Sequence, residues 1–419
     1  MLTVLVIGYV WPEPASSAAG YRMLSLLDTF RQQDWRVIYA SPAEKSIHRT
    51  DLPARGIEEV TIRLNCASFD DYIRQLQPDI VMFDRFMMEE QFAWRVEKHC
   101  PEALRVLDTE DLSCLRHARH QQFKQTGLVA LEASDKLLFS EHAKREVAAI
   151  LRSDLSLMIS PAEIELLQRR FNVAPQLLHD CPFMLPELTD AQISLLPQRE
   201  QRHHFVIIGN FRHAPNWDAV LWLKQQLWPL LHKRLPEAEL HVYGAYPPPK
   251  ATQLHNPAQG FLVKGWAEDA QEVIRSARVN LAPLRFGAGL KGKLVDALAA
   301  GTPSVTTSVG AEGMAGESSW PQPVADIPEH FVEQAVQLYQ DASTWADCQQ
   351  QGFNLYRQRF SFEQHAEALI QRLTAIKANL HAQRLSNFTG AMLRHHSMKS
   401  SQYMAQWIEA KNRREPPND

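Results

Sequence analysis

Short, continuous apolar runs recur along the chain, each followed by a stretch of helical character, and this alternation constrains the fold more than any other feature. The first run is TVLVIGYV, residues 3–10. A strand that is apolar on both faces is buried on both faces, the condition of a parallel sheet covered by helices. A loop with Pro12, Pro14 and Gly20 follows and leads into a helix over residues 21–32. Residues 35–41, 60–64, 79–84, 104–109, 136–140 and 155–160 are further strand candidates, separated by helical stretches. After the last of them, Ser160, Pro161 and Glu163 have the spacing of a capping box at a helix start. Strands and helices alternating at this spacing predict a doubly wound parallel sheet.

The pattern lapses once. Residues 186–203, PELTDAQISLLPQREQRH, are irregular and polar and read as an interdomain linker. A second alternating set then begins, with strands predicted at residues 204–211, 239–245, 261–266 and 279–284 and helices at 217–232 and 270–277. A chain of 419 residues is too long for one ordinary core. The reading is therefore two α/β domains, residues 1–185 and 204–360, with residues 361–419 forming a helix and a polar tail.

Residues 283–313, PLRFGAGLKGKLVDALAAGTPSVTTSVGAEG, concentrate the chemistry. Gly287, Gly289 and Gly292 permit a tight turn and a close approach of backbone to a ligand, which a Cβ hinders. A helix begins near Lys291. Its free N–H groups and positive dipole end favour an anion, and Lys291 and Lys293 add two full charges at the same place. Asp296, three residues beyond Lys293, shares its helix face and can accept hydrogen bonds from vicinal ribose hydroxyls. The helix stops at Gly301, Pro303 prevents its continuation, and SVTTS begins the next strand. A glycine-rich turn before a helix is also common without a nucleotide, and the flanking domains are what give this one weight.

Composition narrows the partners. A net charge of −4 gives no global attraction to nucleic acid or to an anionic membrane, while local basic patches stay compatible with it. Arg394, His395, His396, Lys399, Lys411, Arg413 and Arg414 form such a cluster in the tail, where a solvated segment is the simpler expectation. Cys66, Cys100, Cys114, Cys181 and Cys348 are scattered, odd in number and free of metal-ligand spacing, as in a reduced cytoplasmic protein without structural zinc. The N-terminal apolar run is too short to span a bilayer and lacks the flanks of a leader.

With two such domains and a diphosphate-type loop late in the second, the chain resembles the GT-B glycosyltransferases, in particular the retaining, glycogen-synthase-like family 4. FVIIGNFRHAPNWDAVLWL, residues 205–223, is similar to that family's first strand, glycine turn and helix of the C-terminal domain, with Pro215 and Asn216 before the helix. Residues 261–313 are similar to its donor-nucleotide half. The resemblance implies two Rossmann-like domains facing across a cleft, the first on the acceptor side, and a C-terminal helix over residues 362–380 crossing back to brace the first. It also implies a hexose-type sugar moved from a nucleoside diphosphate to an acceptor with retention at the anomeric carbon. Asp296 stands where the family has its second glutamate, the one that holds the ribose. The partner glutamate eight residues earlier is replaced by Ala288, so an acidic contact to the donor sugar has to come from elsewhere, or from backbone N–H groups.

Roles follow from the resemblance and the residue types together. Lys291 and Lys293 are expected to hold the diphosphate and stabilise its growing charge as the glycosidic bond breaks, with no divalent metal and no cofactor. Arg212, past the Gly209 turn, either joins them or pairs with Asp218. Glu312, between Gly310 and Gly313, either meets sugar hydroxyls or is a plain loop carboxylate. Trp266 flanks the base or belongs to the core. Gly20 gives the first domain a close approach to the phosphates or is an ordinary loop glycine. On the acceptor side, Asp84 and Arg85 follow one strand and Asp108, Glu110 and Asp111 another, so both groups are expected at the cleft. His117 and His120 lie in an Arg-containing helical stretch, where a solvated face competes with a catalytic role. A nucleotide-sugar epimerase and a non-catalytic binding protein on the same fold are the rival readings. The acceptor (glycan, lipid-linked saccharide, protein or RNA) is left open, and peripheral membrane association is compatible with the sequence.

Overall fold

The computed structural model describes residues 1–414. In the first domain seven strands form one sheet: β1 (Thr3–Ile7), β2 (Arg36–Ser41), β3 (Glu58–Thr61), β4 (Ile80–Asp84), β5 (Leu104–Glu110), β6 (Leu155–Met158) and β7 (Leu178–Asp180), in the order β3-β2-β1-β4-β5-β6-β7. Every pairing is parallel. β1 is buried over Val4–Ile7, as its continuous apolar run requires. The second domain has five parallel strands, β8 (His203–Ile208), β9 (Leu240–Tyr243), β10 (Phe261–Gly265), β11 (Ala277–Ala282) and β12 (Ser304–Thr306), in the order β10-β9-β8-β11-β12. Both sheets are Rossmann-like, the doubly wound architecture expected.

Strand order reverses next to β1 in one sheet and next to β8 in the other. At such a switch point the loops leaving two neighbouring strands diverge to opposite faces and leave a crevice. In the second domain those loops follow β8 and β11, so the Gly209 turn and the loop before Lys291 become neighbours although about eighty residues separate them in sequence.

Several local expectations are corrected. Residues 136–140 do not form a strand; Asp135–Leu138 is a helical turn, since the apolar run over residues 137–139 is too short and too closely flanked by Lys136 and Ser140 to fill a central strand. β7 has only three residues and no apolar run that would reveal it. Ser160 makes no side-chain cap at the helix Pro161–Phe171. The helix predicted from residue 217 starts earlier, as Ala214–Trp222, and continues through a π-helical turn, Leu223–Leu227, into Trp228–Arg234.

The helix Phe362–Ala378 returns to the first domain, where Leu369, Leu373 and Ile376 pack with Leu26, Leu27 and Phe30. The segment beyond it is not a solvated tail. Phe388–Arg414 is one helix lying on the helices Phe86–His99 and Glu141–Arg152, with Met398 and Ala405 buried in the first domain's core. Asn387 Nδ2 donates to the Leu151 carbonyl at 2.7 Å at its start. The basic residues of this segment therefore sit on a helix, two of whose faces differ; the side chains of Arg413 and Arg414 lie outside the described residues.

Candidate functional site

At the switch point of the second domain, β8 and β9 end in glycines that face each other. A Cβ on Gly244 would stand 2.0 Å from the Gly209 carbonyl oxygen, so this approach excludes any side chain. A Cβ on Gly209 would stand 2.7 Å from Asn216 Nδ2 and 2.9 Å from Lys293 Nζ. Asn216 bridges the two loops, donating from Nδ2 to the Asn210 carbonyl at 3.1 Å and accepting from Lys293 Nζ at 2.6 Å. Lys293, in the first turn of the helix Gly292–Ala299, is thereby aimed at the Gly209 turn. Burial, with Lys291 nearby, pushes the Lys293 ammonium down to about 7, and Asp296 opposes the shift.

Asp296 lies one turn further on the same face. Burial pushes its carboxyl up to about 7, with Lys293 pulling the other way. Gln271 Nε2, from the helix after β10, donates to Asp296 Oδ1 at 3.4 Å. A lysine and a carboxyl whose values are both drawn toward neutrality share one partly buried crevice, an arrangement common at ligand sites.

Lys291 behaves differently. Its side chain is buried and folds back to donate to the carbonyls of Ala288 and Gly289, so it tightens its own loop. Burial lowers its pKa. Two of the glycines expected to approach a ligand, Gly289 and Gly292, instead admit the first domain, and so does Gly313. A Cβ on Gly292 would stand 2.6 Å from Ala18 Cβ, one on Gly289 2.8 Å from Asp111 Cβ, and one on Gly313 2.2 Å from Ser160 Oγ. Gly287 meets nothing nearer than Lys291 Cε at 3.7 Å.

Polar contacts lock the same junction. Arg119, buried, forms a two-pronged ion pair with Glu312 at 2.6 and 2.7 Å and donates to the Gly287 carbonyl at 2.9 Å. Glu312 thus has an interdomain partner, one that lies 193 residues away in the chain. Glu163 Oε1 accepts from the N–H groups of Leu112, at 3.0 Å, and Gly289, at 2.7 Å, while its Oε2 has no partner. Burial pushes this carboxyl up, with Asp111 adding to the shift. Glu163, read as the capping-box residue three positions after Ser160, is a bridge between the domains.

On the other flank of the crevice, Arg212 is not paired with Asp218, which takes Arg285 at 2.7 Å. Its guanidinium stacks 3.8 Å above the Tyr246 ring. Trp266 is 39% exposed, which places it outside the core, and it stacks on His48 of the first domain with ring centroids 5.3 Å apart. A Cβ on Gly20 would stand 2.5 Å from the Glu13 backbone, so Gly20 is needed by its own loop.

The acceptor-side candidates divide. Asp108 is buried beneath the crevice and paired with Arg22 at 2.8 Å, a structural ion pair, which removes it from the surface expected for it. Asp84 is also buried and accepts from the Tyr9 N–H at 3.0 Å. Arg85 and Glu110 stay partly accessible, 3.1 Å apart, and both hold left-handed backbone, φ 71° and 61°. Strain of this kind at two neighbouring strand ends persists only where surrounding structure enforces it. Burial pushes Glu110 up, with Arg85 opposing. Asp111 is held low by Arg116, which it meets at 2.7 Å, against the opposing effect of burial. His117 is exposed and stacks on His142, with ring centroids 5.9 Å apart. His120 stacks on Phe286 at 4.2 Å across the junction.

One residue escaped the sequence reading. His213, just before the helix Ala214–Trp222, is reached by solvent yet walled by both domains, and this desolvation pushes its imidazole down to about 4. Arg116, Lys293 and Lys291 add to the shift and Asp111 opposes it. Its only sequence signal is its place between the Gly209 turn and Asn216.

Among the described residues, His204, Glu239 and His241 form one group with side-chain atoms near enough to share a metal ion. They lie at the opposite end of the second sheet from the crevice, on β8 and beside β9. His204 Nδ1 accepts the Glu239 N–H at 3.1 Å, which spends the ring's lone pair and leaves Nε2 protonated toward the Glu239 carboxylate. The donor set therefore does not fit a three-ligand metal site in this geometry.

A crevice between two Rossmann-like sheets, with a lysine and a carboxyl on one helix start, defines the GT-B class of fold, and comparison with solved structures bears this out. The chain superposes on sucrose-phosphate synthase from Thermosynechococcus elongatus with a TM-score of 0.64, 14% identity, and coverage of 90% of this chain and 100% of that one. It superposes on TarM from S. aureus, in a complex with fondaparinux, α-GlcNAc-glycerol and UDP, with a TM-score of 0.67, 9% identity, and coverage of 89% and 100%. Anabaena Alr3699/HepE, in complex with UDP and glucose, gives a TM-score of 0.65, 11% identity, and coverage of 89% and 100%. By sequence, residues 202–341, which hold β8 to β12, match the family described as glycosyl transferases group 1. No curated protein sequence matches the chain. No helix among the described residues is long and apolar enough to cross a membrane.

Proposed function

We propose that this protein is a glycosyltransferase that moves a hexose-type sugar from a nucleoside diphosphate to an acceptor hydroxyl with retention at the anomeric carbon, in the cytoplasm and without a metal. The observation that carries the reading is the clamp of Gly209, Asn216 and Lys293 at the switch point of the second sheet. It offers an anion one ammonium group, the first N–H groups of a helix and a turn without side chains, in a crevice where charge interactions are weakly screened. Asp296, one helical turn beyond Lys293, is assigned to the ribose, and the exposed Trp266 after β10 to the base. Lys293, by donating to the leaving diphosphate, lowers the barrier to glycosidic cleavage. His213, Glu110 and Arg85 face the same crevice and are assigned to the sugar and acceptor side. Retention is what the resemblance to family 4 implies, and UDP bound in two structural relatives favours a nucleotide donor.

Calorimetry with a panel of UDP, GDP and dTDP sugars tests the donor, followed by release of nucleoside diphosphate on addition of acceptor extracts. Failure of every donor to bind, or donor binding that is unchanged in Lys293→Met, would sink the reading. Donor binding without any release would leave a binding protein.

A further inference from the structure

The C-terminal helix Phe388–Arg414 packs through only one side. Met398 and Ala405 are buried against the first domain, and Arg394 turns inward to the Arg152 carbonyl. On the opposite side Phe388, Met392, Tyr403 and Trp407 are 78%, 48%, 64% and 62% exposed. Their spacing puts all four on one face. Lys399 and Lys411 stand on that face too, with Lys411 Nζ 6.0 Å from the Trp407 ring centroid, and His395 and His396 lie between. Glu409 is the single acidic residue from Phe388 to Arg414, against five lysines and arginines, and its carboxylate points away from the stripe to accept the Ala67 N–H at 3.2 Å.

From this face we infer that the helix docks flat on an anionic lipid bilayer. Aromatic and methionine side chains mixed with lysines, and no carboxylate, match the boundary between acyl chains and negative headgroups. A protein partner of ordinary composition would meet mixed charge, whereas here the complementarity is of one sign over a chain whose net charge is −4. The helix ends beside Ala67, in the loop after the C-terminal end of β3, which is the end of the first sheet that borders the crevice. Docking therefore lays this flank of the first domain, with the loop around Ala67 at one end, against the membrane plane. The inference stands apart from the proposed reaction, since it concerns only this surface.

The test is co-sedimentation of the full chain with vesicles of phosphatidylcholine alone or mixed with phosphatidylglycerol. Wild type is expected to bind the anionic vesicles and to be released by high salt. Lys399→Gln with Lys411→Gln is expected to weaken partitioning about 30-fold, each lysine near an anionic surface being worth about fivefold. Tyr403→Ser with Trp407→Ser is expected to abolish it. Because both pairs are exposed, thermal melting should not change and checks that the variants fold. The inference is overturned by no binding of wild type to anionic vesicles, by equal binding of wild type and both variants, or by light scattering that shows a dimer lost in the aromatic variant without vesicle binding. That last outcome would mean that a second copy covers the face.

Discussion

Glu163 Oε1 accepts the Gly289 N–H at 2.7 Å, so a buried carboxyl of the first domain ends on the glycine-rich loop of the second. The same oxygen holds Leu112, and Asp111 beside it stands against the Cβ position of Gly289. The loop that carries the anion chemistry is thus shaped from across the crevice.

This bridge is expected to be pH-sensitive. Burial pushes Glu163 up to about 8, above its value in the unfolded chain, so between about pH 4.5 and 8 the folded state binds the proton and the unfolded state does not. Its contribution is complete below the unfolded value and is lost as pH rises through the folded one. Glu163→Gln keeps both acceptor contacts and removes the titration. Thermal melts from pH 5.5 to 8.5 should show the variant gaining on wild type as pH rises, and parallel curves would contradict this.

Lys293 is expected to set the pH dependence of donor binding. Its ammonium is drawn down to about 7 in the free protein, and a bound diphosphate restores its charge, so binding takes up a proton above pH 7. Nucleoside diphosphate affinity should fall as pH rises from 7 to 9. In Lys293→Met it should be weaker by about tenfold or more and flat over that range, as calorimetry in two buffers of different ionisation enthalpy can measure.

Asp296→Ala separates the ribose from the phosphates. Loss of hydrogen bonds to a carboxylate should weaken nucleoside diphosphate about tenfold or more, while pyrophosphate, which has no ribose, should bind as before. Equal loss for both ligands would place Asp296 in the phosphate clamp.

Arg119→Ala should cost about 3 kcal/mol in urea unfolding, because it leaves Glu312 and the Gly287 carbonyl without their partner inside the junction. Glu312→Gln, which keeps one prong, should cost less.

The C-terminal helix gives an internal comparison. Met398→Ala opens a cavity in the first domain and should cost about 2 kcal/mol, whereas Met404→Ala, 58% exposed, should stay within about 0.5 kcal/mol. Equal effects would contradict the packing of this helix.

The strands were legible where both faces are apolar, as in β1 and β4, since burial on two sides leaves a run that no helix period imitates. They were not legible in β7, whose three residues include His179 and Asp180. Lys293 and Asp296 declared themselves by their place on one helix start. His213 did not, because nothing local distinguishes it from any loop histidine until Arg116 and Asp111 are brought over it.

What the sequence by itself determined is the set of local periods: two runs of parallel-sheet strands, the glycine turns that end them, and the charged helix start after β11. These follow from which residues must be buried and which backbone positions reject a Cβ. The tertiary structure alone decided how the glycines are used and which charges are free. Gly289, Gly292 and Gly313 admit Asp111, Ala18 and Ser160 of the other domain, Glu312 is taken by Arg119, and Asp108 by Arg22, while Lys293 faces the crevice. A residue's chemistry is fixed by its type, but its availability depends on partners far away in the chain, and those are set only when two domains close on each other.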